Sequence, residues 1–594
     1  MNIIGISGLE QSAPFKMAQW PGLDEREYRM SQGFEAAAAL VVDGVVVAAA
    51  AEERFNRKKH SAAFPVQAIQ YCLKEAGLSL DQIDEIAHAF DYMPYKNAYA
   101  FDQVAAKRYQ EVYSRDVFAS QVSRNLPGFA IDRVRHVNHH LAHAASAFFT
   151  SGWEECLVVV IDGMGEVDGA SVYLGDHGRL TPIHHLSAYD SIGMFYSLLT
   201  LHLGFDFNSD EYKIMGLAPY GNPSRFRSFF DDAVRFGDDG SLHIPSLRLN
   251  KTRDERENFL ATRRYFTEHL IPARKPEEDI TDDHRDVAAG LQDCLDRTLQ
   301  EFCGHFGAKT GLRRLALAGG VALNCTANGR LLQANLFDEI YVQPAAGDDG
   351  AALGAALYRA SHRGPVSNRR SPVPFFGPAY SHSEIDRALT AFAERIKVVR
   401  FDDVAKTCEA AAACIAQGEV VGWYQGRMEF GPRALGHRSI LADPGHPEMR
   451  DRINAMVKMR EAFRPFAPAV TVEQGHYWFD MPPLTQMPYM IMTVDVRIRH
   501  RPTLPAITHV NGSARVQTVS AESDEVFHTL LRRVGKFTGR EMVLNTSFNV
   551  KGQPIVNTPK EAVETFLATG IDVLFIGNTM VRRASDTRSV SHGE

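Results

Sequence analysis

Cysteine is scarce in this sequence, and no Cys-x-x-Cys pair occurs. The 594 residues include seven cysteines, an odd number that argues against a disulfide framework and against a structural zinc site. No apolar stretch reaches the ~18 residues of a membrane span, and residues 1–8 lack the basic segment of a secretory signal. These absences predict a cytoplasmic protein without a membrane partner.

A surplus of positive charge is missing too. The chain carries 64 Lys and Arg against 72 Asp and Glu, a formal net charge of −8. A nucleic-acid partner is therefore not expected, because such proteins need an extended basic surface. No Walker A sequence is present, which disfavours P-loop kinases. The composition, 45% hydrophobic and 23% charged, is that of a soluble globular protein with room for about three to four domains.

One pattern of strands and turns occurs twice in the first part of the chain. The strand Asn2–Ile6 is followed by a hairpin in which Asp43-Gly44 joins residues 36–42 to 45–50, a strong turn signal. About 155 residues later, the strand 157–161 leads to a glycine turn and a second hairpin. Two similar α/β lobes explain this repetition, because each copy is too long for a solenoid repeat.

A proline-rich stretch separates this part from the rest. Residues 364–378 contain four prolines and two adjacent arginines, a composition typical of linkers. Beyond it, a helical pattern and several short apolar strands indicate a second α/β unit. We therefore predict an N-terminal domain at residues 1–363, a linker at 364–379 and a C-terminal domain at 380–594.

Four histidines lie within residues 136–143, in a segment that continues as a helix-like pattern. His139 and His143 are one helical turn apart, so both imidazoles can bind one metal ion. Asp162 and Asp348 each stand where an apolar strand meets a glycine turn, at the strand ends that line ligand crevices in α/β sheets. This mixed set suits Fe²⁺, Zn²⁺ or Mn²⁺. The alternative is a polar helix start with one core histidine.

Glycine turns follow several of the strands. Backbone N–H groups in such turns can approach phosphates closely, and the turns match the phosphate and adenosine loops of the actin, sugar-kinase and Hsp70 superfamily. The segment 211–221 adds a carboxylate and an ammonium group, although a plain structural loop is an equal alternative there. The candidate nucleotide ligands are Gly163, Gly165, Glu211, Lys213, Gly319 and Gly320.

The C-terminal part holds a local excess of basic residues. Between residues 426 and 464, eight Lys and Arg face five Asp and Glu. Guanidinium groups interspersed with glycine suit a phosphate or carboxylate cage. A solvated basic face, the alternative, fits less well because Phe and Pro are interspersed. With the polar turn at 545–549, the candidate anion ligands are Arg433, Arg438, Lys458, Arg464, Asn545, Ser547 and Asn549.

Eight motifs together resemble the NodU/CmcH-type O-carbamoyltransferases, a family similar to the nebramycin and novobiocin carbamoyltransferases. They occur in family order over nearly the whole chain. The resemblance implies an α/β protein in which a two-lobed actin/Hsp70/sugar-kinase-like domain, similar to the tRNA threonylcarbamoyl-transfer enzymes, precedes a YrdC-like domain. The motifs are residues 139–143, 160–166, 213–221, 319–324, 347–350, 430–438, 463–468 and 545–549.

The resemblance also implies a two-step reaction. In the YrdC-like domain, carbamoyl phosphate and ATP, with Mg²⁺, would give carbamoyl-adenylate. In the N-terminal domain, a hydroxyl of a small-molecule acceptor would take the carbamoyl group and release AMP. The residues matched to the first step, and expected to be catalytic there, are Arg433, Lys458 and Arg464, with Ser547 and Asn549 as further ligands.

For the second step, the family match assigns the metal to His139, His143, Asp162 and Asp348 and adds Asn324 to the nucleotide ligands. Fe²⁺ is the expected ion, with Zn²⁺ or Mn²⁺ as alternatives.

The chain departs from the family at one position. Members usually carry a His-Asp pair just before the first hairpin strand, and this chain has Phe34-Glu35 instead. Because phenylalanine cannot accept a proton, Glu35, another group or the metal site alone must deprotonate the acceptor. The segments 10–32 and 92–118, the second rich in aromatic residues, are candidate walls of the acceptor pocket.

Two other functions compete with this interpretation. A tRNA threonylcarbamoyl-type enzyme is disfavoured by the acidic balance and by the C-terminal unit. A non-catalytic ATP-binding regulator of the actin/Hsp70 kind would need a substrate-binding or DNA-binding domain, and no segment predicts one. We therefore expect an O-carbamoyltransferase of secondary metabolism, such as antibiotic biosynthesis; its assembly state, with a homodimer as one option, is left open.

Overall fold

The computed structural model describes residues 1–366, 374–458, 461 and 463–585. The chain forms two units, Met1–Phe376 and Gly377–Glu594. Part of the predicted linker, residues 367–373, lies outside the described residues. Within the part described, no helix has the length and apolar character needed to cross a membrane.

The first unit contains two five-stranded sheets with the same topology. In each sheet the first strand pairs antiparallel with the second and parallel with the fourth, and the spatial order is third, second, first, fourth, fifth. The strands of the first sheet are β1 Asn2–Ile6, β2 Ala37–Val42, β3 Val45–Ala51, β4 Glu85–His88 and β5 Val134–His136. Those of the second sheet are β6 Glu155–Ile161, β7 Asp168–Asp176, β8 Arg179–Ser187, β11 Arg314–Ala318 and β12 Glu339–Val342, and β9 Arg235–Phe236 pairs separately with β10 Leu242–His243.

Helices connect and cover these strands. They are α1 Ser12–Gln19, α2 Glu25–Tyr28, α3 Glu53–Asn56, α4 Val66–Ala76, α5 Gln103–Arg108, α6 Arg115–Asn125, α7 His139–Ser151, α8 Ile192–His202, α9 Glu211–Leu217, α10 Arg227–Ala233, α11 Arg253–Asn258, α12 Leu260–His269, α13 Asp282–Thr310, α14 Cys325–Gln333 and α15 Asp348–Ser361.

The hairpin predicted at Asp43-Gly44 is present and joins β2 to β3. Asp43 and Gly44 have φ values of 47° and 78°, the left-handed pair that a two-residue turn needs to follow the strand twist. The predicted repetition of strand, glycine turn and hairpin is confirmed by the two matching sheets, and with it the two-lobed α/β fold class.

Close packing between α7 and α15 positions the site. A Cβ on Gly354 would lie 1.7 Å from the carbonyl oxygen of Ala142, and one on Gly5 would lie 1.9 Å from that of Ala352. Only glycine lets these backbones approach so closely. The contact lies within the first two turns of both helices, and it therefore brings their N-termini together.

The second unit is built around an eight-stranded sheet with the order β13-β22-β21-β14-β15-β20-β16-β19. The strands of this sheet are β13 Ile396–Arg400, β14 Val421–Tyr424, β15 Arg438–Ala442, β16 Ala467–Thr471, β19 Gln517–Val519, β20 Met542–Ser547, β21 Val573–Ile576 and β22 Thr579–Arg583. The strands β17 Thr493–Asp495 and β18 Ser513–Arg515 pair separately with each other. Its helices are α16 His382–Thr390, α17 Val404–Ala416, α18 Met449–Ile453, α19 Gly475–Trp478, α20 Glu525–Thr538 and α21 Pro559–Ala568.

Helices α17 and α20 cover one face of this sheet. Trp423 and Leu441 of the sheet are fully buried against Phe527 and Leu531 of α20. The predicted anion ligands lie near one end of the sheet, where β15 begins and β20 ends.

Candidate active site

The four predicted metal ligands converge in the first unit. His139 and His143 lie on the first turns of α7, Asp162 follows β6, and Asp348 begins α15. One ligand atom from each residue lies within 4.8 Å of the other three. The helix N-termini of α7 and α15 both favour negative charge at this point.

The separations between ligand atoms are those of a coordination sphere. His139 Nε2 lies 3.1 Å from His143 Nε2 and 3.4 Å from both Asp162 Oδ2 and Asp348 Oδ1. Asp348 Oδ1 is 3.7 Å from His143 Nε2. Bond lengths of about 2.1 Å to a tetrahedral ion place neighbouring ligand atoms about 3.4 Å apart, and these four separations scatter around that value.

The hydrogen bonds of the imidazoles also fit a cation. His139 Nδ1 lies 3.1 Å from the carbonyl oxygen of Ala89, so a neutral His139 donates there and keeps a lone pair on Nε2. That lone pair points at His143 Nε2 and two carboxylates. His143 Nδ1 is buried and has no hydrogen-bond partner among the described residues. The residues present therefore fit a divalent metal.

The histidines and carboxylates of the cluster shift one another's pKa values. Burial alone would lower the pKa of His139, but Asp348 and Asp162 raise it well above its usual value. Burial would raise the pKa values of both carboxyl groups, yet the facing histidines hold them below their usual range. Beside the cluster, burial lowers the pKa of His140 to about 3. Two ionised carboxylates and neutral imidazoles would give the site the charge that a divalent cation balances.

Glu166 forms hydrogen bonds with the N-terminus of α7, next to the cluster. Its carboxylate accepts the backbone N–H of His139 at 2.9 Å and the Nδ2–H of Asn138 at 2.8 Å. Burial raises the pKa of Glu166 to about 7. Asn138 in turn caps α7 by accepting the backbone N–H of Leu141. Glu166 was not predicted as a functional residue, although it ends one of the quoted motifs.

Glycines predicted to bind the nucleotide lie next to the metal cluster. Gly320 N donates to Asp162 Oδ1 at 3.1 Å, and Gly319 has a φ of 91°, where a Cβ would collide with the backbone of Ile161. Gly163 has open space around its Cα, whereas a Cβ on Gly165 would lie 2.9 Å from the His140 ring. The glycine turn at 319–320 thus contacts Asp162, a predicted metal ligand, directly.

The other three nucleotide candidates are held by neighbours. Glu211 accepts the hydroxyl proton of Ser197 at 2.7 Å, and burial raises its pKa. Lys213 Nζ pairs with Asp210 at 2.7 Å. Asn324 caps α14 with its side chain and exchanges hydrogen bonds with Gln292 at 3.0 and 3.1 Å.

Glu35 has a partner that the sequence did not suggest. Its Oε1 lies 2.9 Å from His60 Nδ1, while the neighbouring Phe34 packs under the guanidinium of Arg29. The aromatic residues of 92–118 largely pack on one another, as Tyr92 does on Tyr113 at 4.0 Å. Their aromatic character is therefore mostly explained by packing.

In the second unit, three predicted segments meet at one end of the sheet. Ser439 of β15 pairs with Ser547 of β20, and Ala467, just after residues 463–466, pairs with Asn545. Because β20 runs antiparallel to both neighbours, the loop before β15, the segment before β16 and the turn after β20 share that end. The segments that carry Arg433, Arg464 and residues 547–549 therefore lie at the same end of the sheet.

Their side chains differ in role. Arg433 and Arg464 are half-buried, and Arg464 faces Glu461 at 3.6 Å. Ser547 donates to Asn549 Oδ1 at 2.7 Å. Asn545 is buried and donates to Gln517. Lys458 ends a π-helical turn, Asn454–Lys458, and its side chain lies outside the described part.

The side chain of Arg438 forms its contacts with other residues of the second unit. Its side chain is fully buried over the ring of Tyr424, 3.7 Å from the centroid. Its two terminal nitrogens donate to carbonyl oxygens of Pro378, Gln425, Gly426 and His437. The buried Glu429 carboxylate accepts backbone N–H groups of the same loop. These contacts shape the loop that carries Arg433, and they leave the terminal nitrogens of Arg438 with carbonyl partners rather than an anion.

Two family models match the chain, Carbamoyltransferase N-terminus over residues 32–357 and Carbamoyltransferase C-terminus over residues 412–583. The chain belongs to the carbamoyltransferase family. The predicted resemblance and enzyme class are confirmed.

Several relatives of this carbamoyltransferase are similar over much of its length. Nodulation protein NolNO of Sinorhizobium fredii is 40% identical over 561 residues, 92% of this chain and 79% of that protein. Nodulation protein NolO of Bradyrhizobium diazoefficiens is 42% identical over 450 residues, 75% of this chain and 79% of that protein. The 3'-hydroxymethylcephem-O-carbamoyltransferase of Streptomyces clavuligerus is 34% identical over 270 residues, 45% of this chain and 49% of that protein. The matches support O-carbamoylation as the activity of this carbamoyltransferase.

Proposed function

We propose that this carbamoyltransferase moves a carbamoyl group from carbamoyl phosphate to a hydroxyl of a small molecule in two steps, one in each unit. The observation that carries the proposal is the largely buried His139–His143–Asp162–Asp348 cluster in a chain of the carbamoyltransferase family. The second unit supplies a separate group of basic residues suited to anionic substrates.

The first step is assigned to the second unit. Carbamoyl phosphate and ATP, with Mg²⁺, give carbamoyl-adenylate there. Arg433, Lys458 and Arg464 offset the charge of the two anions and act as the catalytic residues of this step, because charge-assisted donors bind phosphate strongly. Ser547, Asn545 and Asn549 order the neighbouring turn, and Arg438 is a positioning residue for the loop 430–438.

The second step is assigned to the first unit. His139, His143, Asp162 and Asp348 would hold a divalent metal, with Fe²⁺ as the expected ion and Zn²⁺ or Mn²⁺ as alternatives. Bound there, it would supply a Lewis acid for the carbonyl and phosphate oxygens. The glycines of the 163–165 and 319–320 turns, with Glu211, Lys213 and Asn324, orient the nucleotide, and Glu35 faces the acceptor.

The acceptor is proposed to be an alcohol. The name of the Streptomyces clavuligerus relative, 3'-hydroxymethylcephem-O-carbamoyltransferase, gives a hydroxymethyl compound as the substrate of that enzyme. A natural product with such a group, rather than a tRNA, suits a chain with a formal net charge of −8.

One assay tests the two-step scheme. The purified enzyme is incubated with ATP and carbamoyl phosphate, either alone or with 3'-hydroxymethylcephem, methyl glucoside, glycerol or tRNA, while AMP, pyrophosphate and product mass are followed. Arg464→Ala should abolish adenylate formation, and His139→Ala should preserve it and block transfer. Independence from carbamoyl phosphate, carbamoylation of tRNA alone, or failure of both variants at the same step would contradict the scheme.

A further inference from the structure

A hydrogen-bonded pair of side chains lies beside the metal cluster without belonging to it. Glu35 Oε1 and His60 Nδ1 are 2.9 Å apart. Both residues have left-handed backbones, with φ values of 61° and 54°, although only a few per cent of residues other than glycine adopt them. Such backbone strain concentrates at functional sites, where the surrounding structure has to maintain it.

The pair connects two parts of the proposed transfer site. On one side, Glu35 Oε2 faces Gly347, where a Cβ would lie 2.7 Å from it, and Gly347 immediately precedes the metal ligand Asp348. On the other side, His60 Nε2 lies 3.3 Å from Ser209 Oγ, two residues before Glu211. The side chains of Glu35 and His60 are 34% and 16% exposed, so a small molecule can reach them.

The hydrogen bonds define the tautomer of His60. Its Nδ1–H donates to the Glu35 carboxylate, which leaves the lone pair on Nε2 to accept the Ser209 hydroxyl. A hydroxyl is thus already the partner of Nε2 in the protein. The backbone N–H of His60 is fixed by Glu53 Oε2 at 2.8 Å. This arrangement is that of a general base oriented by a carboxylate.

We propose that His60 is the general base of the transfer step and that Glu35 orients it, so that an acceptor hydroxyl takes the place of Ser209 Oγ at His60 Nε2. The inference rests on the proposed function and deepens it, because it assigns to His60 the role left open by Phe34. Glu35 then acts through His60 rather than as the base itself.

The step balances without another reactant. The acceptor hydroxyl gives its proton to His60 Nε2, and its oxygen forms a bond with the carbamoyl carbon. The bond from that carbon to the adenylate phosphate oxygen breaks, its electron pair stays on the oxygen, and AMP leaves. Imidazolium, stabilised by the Glu35 carboxylate, returns its proton to water.

The test compares H60N and E35Q with H177N in the full-length enzyme. Asparagine tolerates the left-handed backbone, and His177 is a matched control because its φ is 44° and its Nδ1 also pairs with a carboxylate, that of Asp176. Each enzyme is supplied with ATP, carbamoyl phosphate and the best acceptor among 3'-hydroxymethylcephem, methyl glucoside and glycerol. Adenylate formation and carbamoyl product are measured separately, with and without added imidazole.

We expect H60N to form adenylate at the wild-type rate, to transfer at least about 100-fold more slowly and to recover transfer when imidazole is added. E35Q should slow transfer about tenfold or more, and H177N should behave as wild type. If H60N fails to fold, E35Q carries the test. A transfer rate near that of wild type, loss of adenylate formation, or a defect that imidazole does not relieve overturns the proposal. If the wild-type enzyme yields neither adenylate nor carbamoyl product, the proposed function itself fails.

Discussion

Asp348 Oδ1 lies 3.4 Å from His139 Nε2 and 3.7 Å from His143 Nε2, while the two ring nitrogens are only 3.1 Å apart. The two histidines are buried at the N-terminus of α7, and Asp348, at the N-terminus of α15, is 23% exposed. A cation bound by all three atoms would account for this arrangement. A single N–H group on one ring could form a hydrogen bond with only one of the other two atoms. If these atoms share a cation, replacing any one of the residues should lower the metal content of the protein.

Replacing His139 or His143 with alanine should lower the bound metal from near-stoichiometric to background, because three ligands hold a divalent ion far more weakly than four. Metal content of the purified protein is measured by mass spectrometry. His269→Ala is the control, because this histidine is exposed and its Nδ1 lies 2.9 Å from the carbonyl oxygen of Tyr265 in its own helix. Full metal content in both variants would contradict the assigned ligand set.

Arg438→Lys should destabilise the second unit by about 3 kcal/mol, because lysine cannot serve the four carbonyl oxygens or stack flat on Tyr424. Urea denaturation followed by circular dichroism measures the change. Arg400→Lys is the matched control, since Arg400 is exposed and pairs with Asp386. An unchanged unfolding curve for Arg438→Lys, together with a large loss of carbamoyl phosphate affinity, would instead indicate direct anion binding.

The stability of the first unit should depend on pH through Lys16. This buried lysine contacts Glu257 and the carbonyl oxygen of Met30, and burial lowers its pKa to about 8 against the opposing charge of Glu257. Between pH 8 and the pKa of about 10.5 in the unfolded chain, the unfolded state binds more protons, so a rise in pH favours folding.

Lys16→Met removes this dependence. The free energy of unfolding of the wild type, relative to that of Lys16→Met, should rise by about 2 kcal/mol from pH 8 to pH 10. Urea titrations at several pH values measure it. A difference between the two proteins that stays constant over this range would show that Lys16 is not deprotonated near pH 8 in the folded protein.

Most residues of the proposed metal site could be predicted from the sequence because local spacing marks them. His139 and His143 share a helical face, and Asp162 follows an apolar strand. Both features can be recognised in the sequence without knowledge of the tertiary structure. The strand that leads to Asp162, predicted at 157–161, is observed at Glu155–Ile161. The two hairpins were recognised for the same reason, since turn residues act within a few positions of the chain.

Other features depend on packing and could not be read locally. His60 pairs with Glu35 across 25 residues through left-handed backbones, and a positive φ leaves no signal at a histidine. Arg438 was predicted to bind an anion because it stands in a basic, glycine-rich segment. Its burial over Tyr424 arises from the pairing of β14 with β15, which the segment's composition does not reveal.

Glu166→Gln should weaken metal binding about 10- to 100-fold, the range seen when a hydrogen-bond partner behind a ligand is lost. Three donors face the Glu166 carboxylate: the backbone N–H groups of Asp91 and His139 and the Nδ2–H of Asn138. A glutamine must turn an NH₂ group toward one of them, which leaves that donor unsatisfied and shifts the start of α7. Competition with a metal-buffering chelator measures the dissociation constant, and the exposed Glu268→Gln is the control. Wild-type affinity in Glu166→Gln would mean that α7 is positioned without this carboxylate, by its packing against α15 at Gly354.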